Sequence, residues 1–312
     1  MFCGMSFYQI CCYFIIYSVI GWIIEVAYHA VTLGKVVNRG FLNGPLCPVY
    51  GFGMLAVLCI THFIPVNAQG QPYAILVFLA GLIFTTLIEL FAGWILDKAF
   101  HARWWDYSDV PLNLNGYICV KFSLIWGMAV LFAVRFFHPL VIHFSVAALS
   151  PKIGWIVMAV IYGILFIDSG VTITTVIGLN KELKKLDEIQ TALRKPSDKM
   201  SEIIAGSTIK LSGSVEEAKL QATLGKADLK DSIAEKKNQI ENQVEDIKAQ
   251  IEAYKREKER HLQEIFSPKK WGTRRLLRAF PKMKHRKYTQ TMQELKSYFQ
   301  THKKKSDTNT KN

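Results

Sequence analysis

Apolar residues are not spread evenly along this chain. From Phe7 to about Leu179 they dominate, and from Asn180 to Asn312 charged and polar residues do. A bilayer core of about 30 Å needs about 20 apolar residues per crossing helix. Five runs approach that length: Phe7–Leu33, Leu46–Ile64, Tyr73–Leu96, Ile118–Phe137 and Ile153–Ile177. The second is short and begins inside an irregular segment, "NRGFLNGPLCPVYGFG" (38–53). A further run, Val141–Leu149, is too short to span and reads as interfacial. The pattern predicts an all-α fold: a polytopic membrane domain over 1–179, then a cytoplasmic helical and coiled-coil region over 180–265, then a basic, partly disordered tail over 266–312.

Charge sharpens this division. Of 38 Lys and Arg, 7 precede residue 180, as do 6 of 25 Asp and Glu. Residues 181–264 carry 17 basic and 17 acidic side chains, and residues 265–312 carry 14 and 2. Basic residues favour cytoplasmic connectors. Lys35 and Arg39 mark the first connector, and Lys98, Arg103 and Lys121 mark the third. The second (65–72) has none, and the fourth has Lys152 with Arg135 at its edge. The expected topology is a multi-pass plasma-membrane protein with its N-terminus outside and its tail cytoplasmic. The start, "MFCGMSFYQI", lacks a basic region and a cleavage site and reads as a retained helix rather than a signal peptide. Six cysteines, all before residue 120 and without CxxC spacing, argue against a disulfide scaffold or a structural zinc site.

An internal echo suggests duplication. "LNGPLC" (42–47) matches "LNGYIC" (114–119), and "GWIIEV" with Glu25 matches "TTLIEL" with Glu89. Each unit is a helix with a glutamate, a connector, LNGxφC and another helix. The copies cover about 7–65 and 73–137, with a fifth span at 153–177. Two spans per unit make the repeats parallel, as in pseudo-symmetric transporters. Irregular backbone at membrane depth needs protein or water over it. The LNGxφC segments therefore read either as packed, re-entrant loops or as plain turns. Cys47 and Cys119 occupy equivalent positions and read as small packing residues.

Glu25, Glu89 and Asp168 lie at similar depth, roughly 12–16 Å from the cytoplasmic ends of their helices. Arg39, Lys121 and a folded-back Arg103 are candidate counter-charges. Charged groups at that depth face the bundle interior. The acids read either as a polar cavity open to the cytoplasm, binding a cation or proton or serving as acid and base, or as paired groups that lock helices. Asn38, Asn43, Tyr50 and Asn115 would line such a site, and Asp106 with Asp109 its mouth. Trp104, Trp105 and Tyr107 fit an interfacial belt. No cofactor or metal is expected; His138 and His143 are poorly spaced for ligation.

In the charged region Ile233, Ile240, Ile247 and Tyr254 recur every seven residues. Val244, Ile251 and Ile265 complete the seam, with Lys237 and Lys258 interrupting it. This is a short coiled coil or a solvated single helix; as a coil it would self-associate or pair with a partner. Pro196 and "AGSTIKLSGS" read as breaks before it. The segment "KKWGTRRLLRAFPKMKHRKY" interleaves basic and apolar residues. It suits anionic lipid head groups better than nucleic acid.

These motifs resemble a known family. "GWIIEV", "NRGFLNGPLCPVYGFG" and "WWDYSDVPLNLNG" are similar to the signature of the bacterial family described as putative ABC-transporter type IV, the CmpB-like permeases. The resemblance covers about Phe7 to Ile177. The matched positions are Glu25, Asn38, Arg39, Gly40, Gly44, Pro45, Pro48, Tyr50, Gly51, Trp105, Asp106, Tyr107, Asn113, Asn115 and Gly116. It implies a permease-like transport component of unknown substrate. The chain has no GxxxxGK[ST] loop, so an ATPase would be a separate subunit on the cytoplasmic connectors. No enzyme signature is present. The alternatives are a membrane-anchored scaffold acting through its coiled coil and basic tail, and a membrane-embedded enzyme using Glu25 and Glu89.

Overall fold

The computed structural model describes residues 1–34, 36–147, 151–222 and 228–309, with side chains outside that description at 32–33, 144–151, 206–234, 236 and 302–309. The chain is all-α and forms two compact units, Met1–Asn180 with Pro268–Lys296, and Lys181–Ser267 with Ser297–Asn312.

In the first unit, helix α1 (Phe7–Leu33) starts at a capping box. Ser6 Oγ accepts from the Gln9 amide, and the Gln9 side chain accepts from Ser6 N–H. It ends at Gly34 in the left-handed region. Helix α2 (Pro48–Thr61) starts with Pro48 in its first turn. Helix α3 (Ala74–Phe100) ends at His101, and Asn180 Nδ2 donates to the Phe100 carbonyl left open there. Helix α4 (Val120–Phe132) continues through a π-turn (Ala133–Phe137) into α5 (His138–Ala147). Helix α6 (Pro151–Ala222) follows.

Among the described residues four helices are long and apolar enough to cross a membrane, at Phe7–Val31, Ala74–Phe100, Val120–His143 and Lys152–Ala205. They present large exposed apolar side chains such as Phe91, Trp94, Phe132, Ile156, Phe166 and Ile167. Water does not tolerate such a surface and lipid does.

The expected second span differs from the other four. Helix α2 has 14 residues, about 21 Å. The missing length is supplied by the connector. The Cys47 amide donates to the Ser18 carbonyl at 2.9 Å, and Ser18 lies 15 residues before the end of α1, about 22 Å along it. Residues 40–47 therefore dip beside α1, and α2 starts at depth. A Cys3–Cys59 disulfide brings the end of α2 beside the start of α1. The cysteine pattern read against a disulfide scaffold; this single bridge, spanning 56 residues, leaves no spacing signal.

Two glycines let α1 and α2 meet. A Cβ on Gly21 would lie 2.2 Å from Tyr50 Cγ, and one on Gly51 would lie 2.7 Å from the Phe14 carbonyl oxygen. Gly51→Ala must push backbone aside. It is expected to cost about 1–3 kcal/mol, read as a lower melting temperature of the detergent-solubilised protein.

Around this contact Phe14, Ile15, Leu42, Leu46 and Leu165 form one apolar cluster, so the re-entrant loop is part of the core. Residues 141–147 of the short run belong to α5, which extends the fourth span. There His138 shares a 2.9 Å hydrogen bond with the Tyr17 hydroxyl. Residues 148–149 of that run lie outside the described residues.

Part of the basic tail belongs to this first unit. Helix α8 (Trp271–Ala279) is followed by β4 (Lys284–His285) and the start of α9 (Thr289–Asn309). Strand β4 pairs antiparallel with β1 (Ala102–Arg103) in the third connector. Leu276, Leu277, Met283, Met292 and Leu295 are buried at 3% exposure or less, which makes this segment a packed cap.

In the second unit the polar half of α6 and helix α7 (Asp228–Ile265) meet through His261 and Glu182, 2.8 Å apart. An early residue of one meets a late residue of the other, so they run in opposite directions. The expected break at Pro196 is not there: α6 runs through it, and Ser197 Oγ binds the Leu193 carbonyl. Ile247, Ile251, Leu262 and Ile265 are buried, as are Leu183, Leu186 and Ile189. The α7 stripe thus has an intramolecular surface to pack on. The Ile233 side chain lies outside the described residues, as do those at the chain end expected to be disordered.

Candidate carboxylate site and its connectors

The first connector folds on its own polar groups. Asn38 Oδ1 accepts from Trp22 Nε1 at 2.7 Å and from the Gly40 amide at 3.0 Å, while its Nδ2 donates to the Asn43 carbonyl. This local ring occupies the Asn38 side chain within the connector and α1.

Asp168, on α6, grips the tip of the loop. Its Oδ1 accepts from the Asn43 amide at 3.0 Å and from Asn43 Nδ2 at 2.8 Å, and its Oδ2 accepts from the Gly44 amide at 2.7 Å. Thr172 completes the group at 3.3 Å. On the opposite edge of the loop, Arg275 of α8 donates to the carbonyls of Gly40 (2.9 Å) and Phe41 (2.7 Å). One charge holds the loop's amides and another its carbonyls, which satisfies backbone that would otherwise be unpaired at depth.

The other two acids come together. Tyr50 donates to Glu25 Oε1 at 2.7 Å, and Arg39 pairs with Glu25 Oε2 at 3.7 Å. Tyr107 donates to Glu89 Oε1 at 3.0 Å. Glu89 Oε2 is buried without a full hydrogen bond, and the Trp126 indole is the donor beside it. Among the described residues no cation forms an ion pair with Glu89. Rings pack between the two acids' partners: Tyr50 meets Trp126 edge-on at 5.4 Å, and Tyr107 stacks on Phe122 at 4.8 Å. Phe122 stands 72 positions after Tyr50 and has no hydroxyl. Tyr107, lying on it, brings one to Glu89.

The third connector is anchored separately. Strands β2 (Asn113–Leu114) and β3 (Ile118–Cys119) form a hairpin, with Asn115 in the left-handed region and its carbonyl bound by Arg103. Asp106 accepts from the Ser108 amide and hydroxyl and pairs with Lys284 of the cap at 2.7 Å. Burial alone would push its carboxyl up, but the Lys284 ammonium and the Ser108 bonds hold it down at about 2.

Of the expected site residues, Glu25, Arg39, Tyr50 and Glu89 therefore form one cluster. Asp168, Asn38 and Asn43 form the clamp beneath the first loop, while Asp106 and Asn115 shape the third connector. Lys121 is exposed and reaches neither acid. Asp97 was missed. It is 1% exposed, bound by the Tyr117 hydroxyl and paired with Arg103 at 3.6 Å. It stands two turns after Glu89, but the expected span ended one residue before it.

A family model described as putative ABC-transporter type IV matches residues 12–173. The chain belongs to this family. The match takes in both connectors and all three of Glu25, Glu89 and Asp168, and stops before the cap. No curated protein and no solved structure matches the chain. Family and helices agree on an integral membrane protein in contact with lipid.

Proposed function

We propose that this chain is the permease-like component of a transport system, with Glu25 and Glu89 forming a polar site that opens to the cytoplasm. The observation that carries the reading is the imbalance between the two acids. Arg39 compensates Glu25, whereas Glu89 has hydroxyl and indole neighbours and, among the described residues, no ion-pairing cation. An intramembrane carboxylate in that state is a place for a proton or a small cation.

The repeat supports the same reading. Helices α1 and α3 both have 27 residues, and α2 and α4 begin 72 positions apart, the offset of the LNGxφC pair. In the proposed topology the N-terminus is outside, and the first and third connectors face the cytoplasm with the cap. Any ATPase is a separate subunit. The exposed Trp271 and the basic residues around it suit anionic head groups.

Proteoliposomes carrying a pH-sensitive dye test the site. Under an imposed pH gradient, Glu89→Gln is expected to lower proton flux by about tenfold against wild type, since it removes the titrating group. Equal flux in both would overturn the reading.

A further inference from the structure

The cap touches each connector one residue away from the group that serves one of the two clustered acids, Glu25 and Glu89. Arg275 holds the carbonyl of Gly40, the neighbour of Arg39, and Arg39 pairs with Glu25. Lys284 holds Asp106, the neighbour of Tyr107, and Tyr107 donates to Glu89. The grips are separate in sequence, nine residues apart, and lie on different connectors. Each is firm on the connector side. The Arg275 residue is 8% exposed and uses two nitrogens on two carbonyls, and the Asp106 side chain is 7% exposed.

We propose that Arg275 and Lys284 are positioning residues for the carboxylate site, each fixing the partner of one acid through the adjacent backbone. The cap is then a lever from the C-terminal region to the membrane interior. With the cap seated, Arg39 and Tyr107 are both held on their acids. When a grip is released, the corresponding partner gains freedom and its carboxylate loses the group that stabilises the anion. The two acids respond to different cap residues.

This inference uses the carboxylate cluster of the proposed function, but its test reads pairing rather than transport. A hydrophobic carbodiimide reacts with protonated carboxyl groups: the acid's proton passes to the carbodiimide nitrogen and the carboxylate oxygen adds to its central carbon. The probe is dicyclohexylcarbodiimide on the purified full-length protein in lipid nanodiscs, with the adducts on Glu25 and Glu89 measured separately by peptide mass spectrometry. Lys284→Ala is expected to speed modification of Glu89 by about fivefold, the effect of one hydrogen bond, with Glu25 changed less than about twofold. Lys284→Arg keeps the cation and is expected to restore the wild-type rate at Glu89. Arg275→Ala is expected to do the converse, speeding Glu25 and sparing Glu89.

A merely structural cap would loosen both sites together, so joint acceleration in each variant would overturn the proposal. So would unchanged rates at both acids. Lys284 is more than half exposed, so its variants fold and the Lys284 pair decides alone if Arg275→Ala does not. A protein with no proton flux that still shows the split response would overturn the transport reading and keep the lever.

Discussion

Asp168→Ala is expected to be the most damaging single substitution in the membrane unit, at about 3–5 kcal/mol. The carboxylate accepts three bonds from the loop, from the amides of Asn43 and Gly44 and from the Asn43 side chain. Each bond to a charged group contributes about 1.5–3 kcal/mol, and bonds that share one acceptor do not add fully. Removal also leaves two part-buried backbone amides without their acceptor. Thermal unfolding in detergent reads the loss. Alkylation of Cys47 reads its location, because the Cys47 amide is tied to Ser18 only while the loop is seated. Asp168→Asn should fall between wild type and Ala, since its NH2 group faces donors instead of accepting from them. If Asp168 were instead a ligand for a transported ion, the Asn variant would melt like wild type and lose only transport.

The re-entrant loop was legible because proline, glycine and asparagine interrupt two apolar runs, and backbone that cannot be helical must find partners. That Glu25 and Glu89 sit in the second halves of two long apolar helices was legible from the runs. What holds the loop was not. Asp168 reads as a third acid beside Glu25 and Glu89, whereas its oxygens face amides, and amide direction in an irregular segment leaves no mark on residue types. Arg275 was hidden for a related reason. Its acceptors are carbonyls of Gly40 and Phe41, so no acidic residue announces the contact, and a basic amphipathic segment reads most simply as a lipid surface. Pro196 misled in the opposite sense. It is a strong breaker in general, yet α6 carries it through, with the Ser197 hydroxyl on the Leu193 carbonyl in the same turn. The antiparallel course of α6 and α7 depends on His261 meeting Glu182, far apart in sequence, which heptad spacing within one helix cannot reveal.

These details join into one mechanical arrangement. The same short loop is a core element, a carrier of Arg39 and a receptor for the cap. Its glycines and prolines therefore serve packing and the site together, and its polar groups are spent on holding shape.

The cap itself is expected to be acid-labile, with His285 as the sensor. The ring is 1% exposed, and its Nδ1 accepts from the amides of Lys287 (3.2 Å) and Tyr288 (3.0 Å). Only a neutral ring can accept at Nδ1, so protonation breaks both bonds. Burial pushes the imidazole down to about 4, and the positive groups His101 and Lys287 push the same way, with Asp97 opposing. Tyr288 stacks on the ring at 5.0 Å. The folded value lies below the unfolded one, near 6.5. The stabilisation is therefore complete above about pH 6.5 and is lost as pH falls from there toward 4. A shift of that size corresponds to on the order of 3 kcal/mol. Asp106 adds a second loss only in stronger acid, between the ordinary carboxylate range and about 2. Hydrogen exchange of the paired strands 102–103 and 284–285, normalised to intrinsic rates, is expected to show protection at pH 7.5 that drops sharply by pH 5. His285→Asn keeps an acceptor for the two amides and cannot take the proton, so its protection should stay level across that range. A wild-type cap equally protected at pH 7.5 and 5 would remove His285 as the sensor.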